Sequence, residues 1–498
     1  MKLVLKNKWL SVLLSMMLLG GCHTTDVKVN SNVSVPQRFD RAAQARGAME
    51  MGRWWDSWSD PVLRHLITTG LENNHDLAQM KANMNAARAG AALAESDLGP
   101  QVWTDVNGSV HRLKNDNPLK NVAIPGMGNA REALQSAGSP LGDNKLDWKG
   151  NHIQLGFAAS WEPDVFGGKR SDAEAARYLS LSVTEQWHGA QIMLSADIAD
   201  NYLKMRAMQQ RIRIGQQSVT TLKHLLRYAQ GRFRAGQATA FDVKDVSSNL
   251  AAMQAQIATY QAQADAYQRN LAVLTGQTPQ GFYVPESSVD VFQRLPAAPA
   301  GQLPLDVITR RPDLRSLENQ VKAMSAKLGS AKADRYPRFD ISFLWQTGRI
   351  KLDSDLSHLK TNGGIVDLGI SLPIFTAGRI KHNIEMADSR LKAAIAAYDQ
   401  GILKALAEVD NAYQMQYSLN KQSLLLIQAQ READKQANAA EKLFRYGDMT
   451  LDRALRSRLN AQNLFEKEVQ GKLAEAQNLI NLYKALGGGW QKDSAEIE

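Results

Sequence analysis

The sequence predicts an α+β protein in which one structural unit is used twice, and three observations lead to this prediction. Residues 76–102 recur at 313–339, with a constant offset of 237 residues and no gap. In each copy, apolar and polar residues then alternate with the period of two that is typical of half-buried strands. A helical run of more than 60 residues without proline follows each alternating stretch. An internal duplication explains all three observations.

The residues that are identical in the two copies extend from the start of a predicted helix to the proline that ends it. Seven of the 27 paired positions are identical. The pairs are Asp76/Asp313, Leu77/Leu314, Ala86/Ala323, Ala89/Ala326, Ala94/Ala331, Asp97/Asp334 and Pro100/Pro337. Because proline removes a backbone N–H, the last pair predicts that a short helix ends and a strand begins at the same place in both copies.

The N-terminus has the pattern of a bacterial lipoprotein signal peptide over residues 1–21. Three lysines precede an apolar run at 9–19, which is too short to span a bilayer. The run ends in Leu19-Gly20-Gly21-Cys22, so cleavage leaves Cys22 as the acylated, palmitoylated N-terminus of a leader at 22–60. His23 follows in place of the aspartate that retains lipoproteins in the inner membrane, which favours the outer membrane. An ordinary signal peptide with a chance cysteine is the alternative.

Composition excludes several classes of protein. Removing the three signal lysines from the net charge of +9 leaves +6, with no dense basic block, so nucleic-acid binding has little support. Cys22 is the only cysteine, so no intrachain disulfide is possible. After Leu19 no apolar run approaches about 18 residues, so any membrane crossing does not use helices.

Four strands are predicted, two in each repeat. In the first repeat they lie at about 101–112 and 152–164, separated by a long loop at 113–151. In the second they lie at about 338–349 and 364–375, separated by a loop at 350–363. Val102, Val106 and Val110 illustrate the apolar face, opposite Asp105 and Asn107. Strands of about 9–12 residues suit a tilted crossing of hydrocarbon, although a soluble sandwich has the same alternation.

Each pair of strands leads into a long helical hairpin. The outgoing helices begin near Gly168 and Gly378 and, at 1.5 Å per residue, reach roughly 90–100 Å. They turn at Gly236 and Gly447, where glycine suits a left-handed helix cap, and return over about 239–275 and 450–486. The domains are therefore a first repeat at 61–276, a proline-rich equatorial connector at 277–311, a second repeat at 312–487 and a tail at 488–498.

Open sheet edges are not tolerated in lipid, because each unpaired backbone group there costs several kcal/mol. Four strands are too few to close a barrel, so transmembrane strands require several chains. Two chains give eight strands and little lumen, whereas three give twelve and a channel. In such an assembly the polar strand faces line the lumen, and all the helices lie on the periplasmic side.

Six short motifs lie along nearly the whole chain. They are Leu19-Gly20-Gly21-Cys22, Trp54-Trp55, Arg310-Arg311-Pro312-Asp313-Leu314, Leu372-Pro373-Ile374-Phe375 with Gly378-Arg379, Glu408-Val409 and Ala485-Leu486-Gly487-Gly488-Gly489-Trp490. Together they resemble the TolC-type outer-membrane efflux channels, in the lipoprotein (NodT-like) branch. The resemblance implies a homotrimer with a 12-stranded outer-membrane β-barrel continued by a periplasmic α-helical barrel. It also implies docking, at the tips, onto a periplasmic adaptor and an inner-membrane pump, and passive conduction of drugs or toxic compounds without cofactor or catalysis.

A charge difference between the two tips suggests a gate. Asp242 and Asp245 follow Gly236 by six and nine residues, and Arg453 and Arg456 follow Gly447 by the same intervals. Residues three apart share a helix face, so we hypothesise that these aspartates and arginines form ion pairs that hold the tip closed. The simpler interpretation is solvated charge. Acidic residues are common in the family at the position of Arg456, so a second acidic ring is in doubt. Thr239 and Thr450 complete the predicted tip turns.

Rival functions have less support from the residues. A periplasmic coiled-coil adaptor lipoprotein without a pore shares the anchor and hairpins but does not need four amphipathic strands. A lipoprotein enzyme lacks a catalytic constellation here, and no His-x-x-x-His zinc motif occurs. The methionine pairs Met80/Met84 and Met205/Met208 suit core packing better than a soft-metal cargo.

Overall fold

The computed structural model describes residue 31 and residues 33–47, 49, 51–116, 123–124, 128–137, 145–352 and 359–490. The described residues form two compact units. The first contains those of 89–177 and 323–391, and the second contains those of 31–88, 178–322 and 392–490. Each unit therefore draws on both repeats. Cys22, the predicted lipidation site, lies outside the described residues.

The first unit contains a four-stranded antiparallel sheet. The strands are β1 (Gln101–Asp116), β2 (Ala123–Ile124), β3 (Gly128–Asn129), β4 (Lys145–Trp161), β5 (Arg338–Leu352) and β6 (Leu359–Ser371). The order in the sheet is β1-β4-β5-β6, and β2 pairs with β3 alone. The hairpins of the two repeats therefore lie side by side, joined between β4 and β5. Strands β1 and β6 are the two edges.

The register separates an apolar face from a polar face. Partners across a sheet point to the same side, and one row across the strands is Val102, Ala159, Phe343 and Val366. A row on the opposite face is Asp105, Gly156, Gln346 and Gly363. Many apolar side chains of the first face are exposed, Val106 by 70% and Leu368 by 72%. One chain thus leaves a large apolar surface uncovered.

The structure differs from the sequence prediction at the strand ends. Strand β1 continues to Asp116 and β4 begins at Lys145, so the loop expected at 113–151 is shorter, and it contains β2, β3 and a short helix. Polar residues and Gly150 predominate in these extensions, and backbone pairing with the opposite strand holds them. Strands β4 and β6 end before the expected residues 164 and 375, because Pro163 and Pro373 offer no N–H to a neighbouring strand.

The helices are α1 (Pro61–Asn73), α2 (His75–Ser96), α3 (Ala130–Ser136), α4 (Gly168–Arg234), α5 (Ala240–Leu274), α6 (Pro304–Arg310), α7 (Pro312–Ala333), α8 (Arg379–Tyr446) and α9 (Leu451–Ala485), with short 3₁₀ helices at Ala42–Gln44 and Trp54–Trp58. Helices α4 and α8 have 67 and 68 residues, which gives each a length of about 100 Å. None of the described helices combines the length and apolar composition needed to cross a membrane.

Local capping explains why residues 61–96 form two helices, α1 and α2, and not one continuous run. The Asp60 side chain accepts hydrogen bonds from the backbone N–H groups of Val62 and Leu63, so α1 has an N-cap with Pro61 at its first position. Asn74 is extended and ends α1, and its Oδ1 accepts a bond of 2.9 Å from the Leu77 N–H, which starts α2. A second Asx cap therefore interrupts the run after 13 residues.

In the second unit, aromatic packing fixes the N-terminal leader and the last helix. Trp54 stacks on Tyr483 with ring centroids 5.3 Å apart, and Trp54 is 2% exposed. Phe39 is also 2% exposed and packs against Tyr413 of α8. Ser31 donates a 2.6 Å hydrogen bond to Asp399 of α8. The leader is therefore held along α8 by apolar and polar contacts.

Candidate functional site

The first tip joins α4 to α5 through a glycine turn. Gly236 has φ of +71°. Its N–H donates to the Phe233 carbonyl at 3.0 Å, and the Gln237 N–H donates to the Arg232 carbonyl at 2.8 Å. This pair of bonds is the Schellman cap. It requires one residue in the left-handed backbone conformation, which glycine adopts without strain.

The second tip, between α8 and α9, repeats this geometry. Gly447 has φ of +88°. Its N–H donates to Phe444 at 3.1 Å, and the Asp448 N–H donates to Leu443 at 3.0 Å. The left-handed conformation that the sequence predicts for both glycines is present, and the turns match bond for bond.

The two tips differ at the residue that follows the turn. In the first, Thr239 and Asp242 form a capping box: the Asp242 N–H donates to Thr239 Oγ1 at 3.2 Å and the Thr239 N–H donates to Asp242 Oδ2 at 2.8 Å. The Thr239 N–H and hydroxyl both donate to Asp242 Oδ2, and these two bonds lower the pKa of Asp242. In the second, Thr450 makes no side-chain capping bond, and Arg453 stands where the box has its acid. Asp242 thus has a local structural role.

The structure does not bring the predicted gate residues together within one chain. Asp245 accepts a bond of 3.2 Å from Asn249 one turn along α5. Arg456 pairs with Asp452 of its own helix at 2.9 Å, and both side chains are exposed. In the described part of the chain, neither Arg453 nor Arg456 pairs with Asp242 or Asp245. Ion pairs between tips, if they hold the gate, must join different chains.

The tip encloses an apolar core and leaves aromatic side chains outside. The buried cluster draws on four helices and contains Leu222, Leu225, Ala229, Val246, Met253, Ala440, Phe444, Leu451, Ala454 and Leu455. The edge of the Tyr228 ring meets Phe444 at 4.9 Å. By contrast, Phe241 is 78% exposed and Tyr446 is 81% exposed. Exposed aromatic residues beside each turn are suited to protein contact.

A second cluster, which the sequence reasoning did not assign a role, surrounds Arg311. Its guanidinium binds Asp313 at 2.7 Å, Glu408 at 2.8 Å and the Ala485 carbonyl at 3.0 Å. Burial lowers the pKa of Arg311 and the two carboxylates raise it, and the raise prevails. These residues line a cleft of about 970 Å³ together with Glu185, Lys484 and Gly487. The signal was present in the sequence, because Arg311, Glu408 and Ala485 all belong to the six motifs.

Among the described residues, no group of three or more His, Cys, Asp or Glu side chains is arranged to hold a metal ion.

Comparisons with known proteins bear on the whole chain. The profile of the outer membrane efflux protein family matches residues 66–277 and 303–488. The pyoverdine export outer membrane protein OpmQ of Pseudomonas aeruginosa is 27% identical over 488 residues, which cover 98% of each protein. The toluene efflux pump outer membrane protein TtgC of Pseudomonas putida is 28% identical over 504 residues, covering 98% of this chain and 96% of TtgC.

A solved structure shares the fold. The MtrE outer membrane channel of Neisseria gonorrhoeae superposes with a TM-score of 0.73 at 24% identity, and the match covers 93% of this chain and 98% of MtrE. This likeness confirms the predicted fold class, a duplicated α+β membrane fold with four strands per chain. The family match spans both repeats and includes both tips and the Arg311 cluster. The chain belongs to the outer membrane efflux protein family.

Proposed function

We propose that this chain is the outer-membrane subunit of a tripartite efflux system and that it conducts small toxic compounds passively out of the cell. The observation that carries the proposal is the sheet. Its apolar face is exposed, and among the described residues the edge strands, β1 and β6, each pair on one side only. Three copies joined edge to edge give a closed 12-stranded barrel with the apolar face toward lipid.

The helices supply the second part of the proposal. Helices α4 and α8, each about 100 Å long, extend the conduit into the periplasm. The tips at Gly236 and Gly447 are the proposed docking sites for a periplasmic adaptor, which links the channel to an inner-membrane pump. Exposed Phe241 and Tyr446 give each tip an aromatic contact. Acylation of Cys22 anchors the leader to the outer membrane.

The channel itself catalyses no reaction and needs no cofactor, because the pump supplies the energy. Relatives are named for pyoverdine and toluene, so the proposed cargo is a small organic molecule whose identity the pump determines. The tip charges at Asp242, Asp245, Arg453 and Arg456 are proposed to close the periplasmic end through contacts between chains.

The test combines assembly with transport. The full-length protein is purified in detergent, and we expect a trimer by light scattering and discrete ion-conducting steps in planar bilayers. A deletion strain should become more sensitive to a panel of antibiotics and solvents, and the intact gene should restore resistance. A monomer without conductance would refute the channel and favour an adaptor-like lipoprotein without a pore.

A Cys22→Ser variant tests the anchor separately. We expect mass spectrometry to find acyl chains on the wild-type N-terminus and none on the variant. An unmodified wild-type protein that begins at a different residue would instead indicate an ordinary signal peptide.

A further inference from the structure

Residues 486–490, here called the terminal segment, turn sharply away from the end of α9. Gly487 has φ of +74°, and the Gly488 N–H donates to the Tyr483 carbonyl at 2.9 Å. These features form a Schellman cap like those of the two tips. The segment therefore leaves the helix in one fixed direction.

Two further glycines let the terminal segment lie against the leader. The Gly489 N–H donates to the Met51 carbonyl at 2.9 Å. A Cβ at Gly488 would stand 2.8 Å from that carbonyl oxygen, and a Cβ at Gly489 would stand 2.9 Å from Trp54 Nε1. Since real Cβ atoms do not approach so closely, a larger residue at either position would displace the segment from the leader.

The last residue of the segment, Trp490, meets both repeats. Its indole stacks on His188 of α4, with ring centroids 4.5 Å apart and planes 22° apart. The Arg315 guanidinium of α7 lies 5.3 Å from the centroid of the same indole. Helix α4 belongs to the first repeat and α7 to the second.

One carboxylate holds the two partners of Trp490. Glu185 accepts from Arg315 at 2.6 Å through Oε1 and contacts His188 Nδ1 at 3.2 Å through Oε2. His188 is 1% exposed and its Nε2 has no hydrogen-bond partner among the described residues, while Glu185 is 5% exposed. Charge-assisted bonds of this kind weaken when water competes for their atoms.

We propose that the terminal segment is a latch that fastens α4 of the first repeat to α7 of the second. The latch acts by covering the His188 ring and the Glu185 carboxylate with the Trp490 indole, so that these two buried groups, with side chains 2% and 6% exposed, stay shielded from water. Trp490 is therefore a positioning residue for a wall of the cleft, to which Glu185 contributes. This role is independent of cargo and of docking at the tips.

Two truncations give a matched test. Removing residues 491–498 keeps the latch, whereas removing residues 490–498 deletes only one more residue, Trp490. Hydrogen exchange is measured on the full assembly in detergent. We expect the longer truncation and Trp490→Ala to exchange about tenfold faster at 183–192 of α4 and at 312–318 of α7. The shorter truncation should match wild type, and Trp490→Phe, which keeps a ring, should recover part of the protection.

The tips provide the internal reference. Exchange at 233–242 and 444–453 should not change, because a latch at the cleft acts locally. Unchanged exchange in α4 and α7, or an equal rise at the tips, would overturn the proposal. If the longer truncation does not fold, Arg315→Lys decides the question: it keeps the charge beside Glu185 but loses the planar group over Trp490. We expect the same local increase in that variant, and wild-type exchange would count against the latch.

Discussion

Tyr202 of α4 donates a hydrogen bond of 2.6 Å to Asp60, the N-cap of α1, from 142 positions away in the sequence. The other Asp60 oxygen accepts a bond of 3.0 Å from Ser287 of the connector. Asp60 is 1% exposed. Burial, followed by the bond to Asp60, raises the pKa of Tyr202, so this hydroxyl stays protonated and remains a donor. One buried carboxylate thus joins α1, α4 and the connector.

Replacing Asp60 with alanine should destabilise the second unit strongly. The change removes the cap of α1 and leaves the buried Tyr202 hydroxyl without an acceptor, which together cost about 2–4 kcal/mol. Thermal unfolding followed by circular dichroism measures the loss. The matched control is Asp56→Ala, because Asp56 is partly exposed and pairs with Arg53 and Arg64 at the surface, where such pairs contribute about 0–1 kcal/mol. Equal effects of the two variants would contradict the assignment.

Local signals in the sequence predicted the long helices and their turns well. Helices α4 and α8 contain no proline. The glycines at 236 and 447 take the left-handed conformation of a helix C-cap, which depends only on neighbouring residues. The strand ends were harder to predict because polar residues and Gly150 predominate in the extensions of β1 and β4. Their pairing depends on the opposite strand, which lies outside any local window.

Contacts between distant residues escaped the sequence analysis for a related reason. No sequence spacing predicts the contact between Asp60 and Tyr202 or the contact between Arg311 and Glu408. Asp242 is a different case, because a threonine three residues before an acidic residue is a local pattern that predicts a capping box. The charge of Asp242 suggested a role in the gate, whereas in the structure its carboxylate accepts a hydrogen bond from Thr239 in the same turn.

Asp242→Ala should loosen the start of α5 without unfolding the tip. Loss of half of the capping box costs about 0.5 kcal/mol, so exchange at 239–243 should rise a few-fold. Because its pKa is lowered in the folded state, the carboxylate stabilises the tip above the ordinary aspartate pKa of about 3.9. That contribution should disappear as the pH falls through the lower folded value. Lys244→Ala, an exposed change on the same turn, should leave both exchange and its pH dependence unchanged.

Arg311→Lys should lower stability although the charge is kept. Lysine has no planar fork with which to bind Asp313, Glu408 and the Ala485 carbonyl together. We expect a loss of about 1–3 kcal/mol, because the buried Ala485 carbonyl loses its donor, whereas the Asp313 and Glu408 side chains are more than half exposed and can be solvated. Arg64→Lys, at a half-exposed arginine that pairs with Asp56, is the control and should change stability by less than about 1 kcal/mol. A similar melting temperature for all three proteins would show that the Arg311 cluster does not support the fold.

The gate hypothesis concerns contacts between chains and needs a functional measurement. Arg453→Asp combined with Arg456→Asp places acids opposite the proposed partners, Asp242 and Asp245. If ion pairs between chains close the tip, repulsion among the symmetric copies should open it. We expect single-channel conductance to rise several-fold and cells to become more sensitive to large antibiotics.

Two controls separate the gate from other effects of the same change. Aspartate at 453 also completes a capping box with Thr450, so Arg453→Gln with Arg456→Gln removes the positive charges without adding that acid. This neutral variant should raise conductance less than the aspartate variant, because it ends attraction without adding repulsion. Lys442→Asp, at an exposed position of α8 near the tip, tests whether any charge change there matters and should not alter conductance. Wild-type conductance in both Arg453/Arg456 variants would mean that these arginines are solvated surface charges, each with at most the small energy of an exposed ion pair.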